Sequence, residues 1–211
     1  MRQVVIDVFS EMSKGFEGRV PWMYLDCKGL VTTGVGNLIE PASEACKLPW
    51  LHSDGTPASK DEIVAEWQLV KRHAEMAHLG YVACKRLCGL HLTEDAIDAL
   101  VNEKLAANWR FMCATYVCFR FAEQWCAPAQ LAASLMAWAV GAGFPAIFKN
   151  WAVCAGKQDW LGCAATCEIS SKGNVGVIPR NKAVVGLYQL AAIQPTADYD
   201  KLHIGDIPGR P

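Results

Sequence analysis

Apolar residues at Val4, Val5, Val8, Phe9 and Met12 recur every three to four positions, the period of one helix face. The spacing predicts a short amphipathic helix that stops near Gly15–Gly18. The pattern then changes. Residues 22–38 mix β-prone side chains (Tyr24, Val31, Thr32, Thr33, Val35) with Gly29, Gly34 and Gly36, which reads as a small antiparallel hairpin with tight turns. Residues 39–58 carry Pro41, Pro49, Asp54, Gly55 and Pro57 and read as loop. Ser59-Lys60-Asp61-Glu62 has the form of a capping box. It opens a helix expected to run to about His78, with Ile63, Trp67, Val70 and Met76 on or near one face.

Thr93 is placed to cap a second long helix, with Glu94 and Asp95 in its first turn, where carboxylates favour the helix dipole. The remainder is rich in Ala, Leu and Trp and reads as helical, with breaks at Pro128, Gly141–Pro145 and Gly173–Pro179. The tail after Pro195 is polar and expected to be loosely ordered. Residues 127–148 lack charge, as a membrane span would. Pro145 and Gly141-Ala142-Gly143 favour a buried helix ending in a turn. A helix, a small β element and a helical body predict an α+β fold, mainly helical, with the sheet confined to one lobe.

Composition narrows the partners. The chain has 211 residues, 52% of them hydrophobic, and a net charge of −1. That suits one domain with a sizeable core and lacks the basic footprint of a nucleic-acid binder. The ten cysteines include no Cys-x-x-Cys, so zinc-ribbon and dithiol spacings are missing. They read as small apolar core residues in a reduced compartment. The five histidines form no His-Glu-x-x-His, and Ser134 lacks a Gly-x-Ser-x-Gly setting. No metal or cofactor is expected. Met1-Arg2 leads into a stretch broken by Asp7 and Glu11, not the form of a signal peptide.

The segment from Glu17 to Gly36 holds the chemistry. A glycosidic bond is cut by one carboxylic acid and one carboxylate on opposite faces of a sugar ring. Glu17 follows Phe16 at the end of an apolar helix, a setting in which burial would keep a carboxyl protonated. Asp26 sits in a turn, where a solvated carboxylate suits a base. Thr32 offers a hydroxyl to hold a water, and Gly34 and Gly36 let the backbone approach a sugar. Glu11 is a weaker rival for the acid, with no second carboxylate at a useful spacing.

Glu17, Tyr24, Asp26, Thr32, Gly34 and Gly36 stand at spacings that resemble the signature of phage-type lysozymes, glycoside hydrolase family 24. Weaker likeness continues through Leu135–Gly141 with Phe148, Lys157–Trp160 with Ala164-Ala165, and Pro179-Arg180-Asn181. The resemblance implies a single lysozyme-like catalytic domain over 1–211. Its small β-containing lobe would span about 15–60, its helical lobe about 80–195 and its polar tail 196–211.

The resemblance also implies roles. Glu17 would be the general acid, Asp26 would act on the water, and Thr32 would position it. Tyr24, Gly34, Gly36, Trp138 and Arg180 would meet substrate, Trp138 and Arg180 near the cleft. The expected enzyme is a muramidase acting on bacterial peptidoglycan, a monomer without cofactor, inverting if its carboxyls stand about 6.5–9.5 Å apart. It would be made in the cytoplasm and carried to the wall through a holin or a secretion system, in the latter case with an immunity or inhibitor protein as partner. A lytic transglycosylase and a non-catalytic wall-binding module are the alternatives. Two features depart from the family. Asn37 stands where it often has His, a change that bears on local stability, and the loops at 39–58 and around Cys84–Leu92 look longer than in its smallest members.

Overall fold

A computed structural model describes residues 1–16, 18–172 and 176–193. In chain order the elements are α1 (Gln3–Phe16), β1 (Val20–Leu25), β2 (Val31–Gly34), β3 (Asn37–Leu38), α2 (Ala42–Ala45), α3 (Lys60–Arg72), α4 (Tyr81–Cys84), α5 (Glu94–Thr115), α6 (Ala127–Val140), α7 (Phe144–Ile147), α8 (Lys149–Gly156), α9 (Trp160–Thr166) and α10 (Val177–Ile193). The fold is α+β and mainly helical, with one small antiparallel sheet of order β1-β2-β3. The chain divides into two compact units, the described residues of Glu17–Val101 and those of Met1–Phe16 with Asn102–Pro211. The division falls inside α5.

The smaller unit holds the whole sheet. It reaches beyond the expected 15–60 because α3 packs on β1 and β2, and α4 packs on β1. The capping box forms: Glu62 N–H donates to Ser59 Oγ, and the Glu62 carboxylate accepts from the Ser59 N–H. The α-helix stops at Arg72 rather than near His78, because His73 leaves helical geometry (φ −94°, ψ 50°). A 3₁₀ turn over Ala74–His78 follows and still buries Met76. Thr93 Oγ1 caps α5 by accepting from the Ala96 N–H at 3.2 Å.

The larger unit is helical and centred on α6, which packs against α1 and α10. Every residue of α6 from Ala127 to Trp138 is buried. No described helix is long and apolar enough to cross a membrane. Pro128 does not break a helix: it sits in the first turn of α6, and Pro145 in that of α7. The first turn has no carbonyl waiting for an N–H, so proline fits there. Gln130 is fully buried, its amide donating to Ala122 O at 2.8 Å and its carbonyl accepting from Arg2 N–H at 2.8 Å. An aromatic cluster of Phe119, Trp125, Phe144, Trp151, Trp160 and Tyr188 fills the space between the later helices. The tail expected to be loose at 196–211 lies outside the described residues.

Candidate active site

The turn from β1 to β2 is built on Asp26. Its Oδ1 accepts from the backbone N–H of Lys28 (2.8 Å) and of Leu30 (2.9 Å). Its own N–H donates to Leu30 O at 3.0 Å, and its carbonyl accepts from Gly29 N–H at 2.9 Å. A short carboxylate bonding backbone a few residues ahead is what makes Asp a turn former. Asp26 thus shapes the turn that presents it, and stays half-buried.

Beyond the turn, Leu25 pairs with Val31 and Tyr24 with Thr32. Directly paired residues share a sheet face, so the Tyr24 ring and the Thr32 hydroxyl are neighbours on one side. Thr32 is 4% exposed, and its Oγ1 donates to Leu30 O at 3.1 Å, which leaves the oxygen's acceptor capacity. Thr33 faces the other way and donates to the carbonyls of Val20 and Trp22. Gly34, at the end of β2, and Gly36, in the loop that joins β2 to β3, both have positive φ (61° and 70°). A Cβ on Gly34 would lie 3.1 Å from Asn37 Oδ1. That oxygen accepts from Val35 N–H at 3.2 Å, so Asn37, itself buried, closes the loop.

Two residues without a sequence signal hold this turn from outside. Lys71 Nζ of α3 donates to Gly29 O at 2.9 Å and to Glu40 Oε1 at 2.6 Å. The same Glu40 oxygen accepts from Val31 N–H at 2.8 Å. Lys71 and Gly29 are 42 residues apart, so no local pattern marks the contact. Lys71→Met leaves the poorly exposed Glu40 without its cation, and we expect a cost of about 1–2 kcal/mol. Chemical denaturation measures that cost, and hydrogen exchange at Val31 reads the loosened turn. Lys47→Met, which removes an exposed pair with Glu44, is the control with almost no effect.

Trp138 and Arg180 fall in the other unit. Trp138 belongs to the larger unit and is 9% exposed, with Phe9 at 5.1 Å between ring centroids and Lys104 Nζ 4.2 Å from the ring centre. Arg180, in α10, is also buried, its guanidinium 5.4 Å from the Phe16 ring. Asn181 beside it pairs with the backbone of Ile169 through both ends of its amide. Glu17 lies outside the described residues, and with it the carboxyl spacing to Asp26. The structure therefore brings Tyr24, Asp26, Thr32, Gly34 and Gly36 into one β element of the smaller unit.

Ser134 Oγ donates to Gln130 O of its own helix at 2.8 Å. Ten cysteines are free thiols. Burial pushes the Cys88 and Cys163 thiols well up and Cys167 up to about 11, so these three are poor nucleophiles near neutral pH. Burial also raises the Glu66 carboxyl, against the opposing N–H bonds from Gly89 and Leu90. Among the described residues no group of His, Cys, Asp and Glu is placed to hold a metal ion. No protein-family model matches the chain, and no curated protein matches it.

Proposed function

We propose that the chain is a muramidase that hydrolyses the β-1,4 bond between N-acetylmuramic acid and N-acetylglucosamine in bacterial peptidoglycan. The observation that carries this reading is the Asp26 turn with its neighbours. A carboxylate at a sheet corner, a threonine hydroxyl on the adjoining strand and a glycine-bounded loop occur together at the spacing of the phage-type lysozyme signature. In this reading Glu17 protonates the leaving oxygen, Asp26 acts on the attacking water and Thr32 Oγ1 accepts a hydrogen bond from that water. Acid and base together lower the barrier at both ends of the breaking bond. Phage lysis and delivery as an antibacterial effector both fit such an enzyme, the latter with an immunity protein as partner.

Digestion of purified peptidoglycan, with mass analysis of the released fragments, tests the reading. A muramidase releases fragments with a reducing-end N-acetylmuramic acid. Products lighter by one water, closed into an anhydro ring, would make the chain a lytic transglycosylase. Wall binding without any release would make it a binding module on this scaffold.

A further inference from the structure

Burial alternates along the end of β1: Met23 and Leu25 are buried, while Trp22 and Tyr24 are half-buried on the opposite face. The helix α4 packs on this strand and sets Tyr81 beside both aromatics, with ring centroids 6.4 Å from Trp22 and 6.1 Å from Tyr24. The arrangement is pinned. The Trp22 indole N–H donates to Tyr81 O at 3.0 Å. A Cβ on Gly18 would lie 3.4 Å from the Tyr81 ring, so that ring rests against bare backbone. Yet Tyr81 is 43% exposed, and its neighbours Leu79 and Val82 are 65% and 62% exposed. A rigid aromatic group left open to water is costly for folding alone and suits a ligand, since its ordering precedes binding.

Charge specifies the ligand further. Lys85 Nζ stands 5.0 Å from the centre of the Trp22 ring, and the next residue, Arg86, is also exposed. Aromatic faces accept the C–H side of a pyranose, and a cation at their edge matches a carboxylate on the sugar. Because Tyr24 pairs with Thr32, the aromatics continue the sheet face that carries the threonine hydroxyl.

We propose that Trp22, Tyr24 and Tyr81, edged by Lys85, form a stacking subsite for a carboxylate-bearing sugar of a glycan strand stripped of its stem peptides. The choice of N-acetylmuramic acid as that sugar rests on the muramidase reading. The stacking itself rests on the ring geometry.

The test uses two probes, a peptide-free tetrasaccharide of alternating N-acetylglucosamine and N-acetylmuramic acid, and uncharged chitotetraose. Each is titrated into the Asp26→Asn chain, which keeps the ligand intact, with the Trp22 indole N–H followed by NMR and Kd by calorimetry. Both probes should move the Trp22 resonance. Tyr81→Ala should weaken both by about tenfold, and Tyr81→Phe should retain most of the binding. Lys85→Gln should weaken only the muramic probe, by about threefold. An unmoved Trp22 resonance, absence of binding, or an unchanged Kd in Tyr81→Ala overturns the subsite. Wall digestion by the wild-type chain with unchanged Tyr81→Ala binding overturns the subsite and keeps the muramidase reading. Binding at Trp22 without wall digestion does the reverse.

Discussion

Asp26→Asn is expected to keep the fold and lose peptidoglycan hydrolysis by about a hundredfold or more. The asparagine Oδ1 can still accept from Lys28 and Leu30 N–H, as the aspartate does at 2.8 and 2.9 Å. What disappears is the negative charge that the proposed mechanism sets against the attacking water. Asp26→Ala removes both functions. It should be equally inactive and also less stable by about 1–3 kcal/mol, because two backbone donors lose their acceptor. Glu17→Gln should lose activity by a similar factor, since an amide has no proton to give the leaving oxygen. Rates of dye release from labelled peptidoglycan, set beside urea unfolding curves, separate the effects. An Asp26→Asn chain with wild-type activity would confine Asp26 to its part in the turn and sink the proposed mechanism.

The largest expected loss of stability is at Trp151. Its ring is fully buried, 4.6 Å from Phe144, 5.9 Å from Phe119 and 6.3 Å from Tyr188 between centroids. Its indole N–H donates to the Tyr188 hydroxyl at 2.9 Å. Trp151→Ala removes that ring from three aromatic neighbours and takes a donor from a buried hydroxyl, a cost of about 3–5 kcal/mol. In a domain of this size that lowers Tm by roughly 10 °C. Trp151→Phe keeps most of the contact and loses the hydrogen bond, so its cost should fall well below that of alanine. Val153→Ala, two residues away on the same helix but 58% exposed, should change stability by no more than about 0.5 kcal/mol. Calorimetry of the three variants reads the order directly.

Local rules made much of the framework legible. The period of Val4, Val5, Val8, Phe9 and Met12 anticipates α1, and Ser59 with Glu62 anticipates the start of α3, because caps and amphipathic faces act within one or two turns. The hairpin was readable from β-prone residues between glycines, although β3 is only Asn37–Leu38 and depends on pairing with β2 for its existence. Several local outcomes are compatible with the sequence at other points. Proline ends or begins a helix according to what precedes it, and Pro128 and Pro145 begin theirs. The end of α3 at Arg72 came from His73, a residue with no strong breaking tendency.

By itself, the sequence determined the class of fold, the identity of the turn residue Asp26 and the set of side chains available for chemistry, since each depends on neighbours within a few positions. Tertiary structure alone decided how that turn is held and what surrounds it. Lys71 and Glu40 reach it across 42 and 9 residues, and Tyr81 meets Trp22 across 59. Such contacts are made by packing α3 and α4 on the sheet, and an apolar period reveals that a helix packs without saying which polar or aromatic residue its packing delivers. The segment from Glu17 to Gly36 names the candidate chemistry; the helices packed on its strands supply the clamp and the aromatic wall around it.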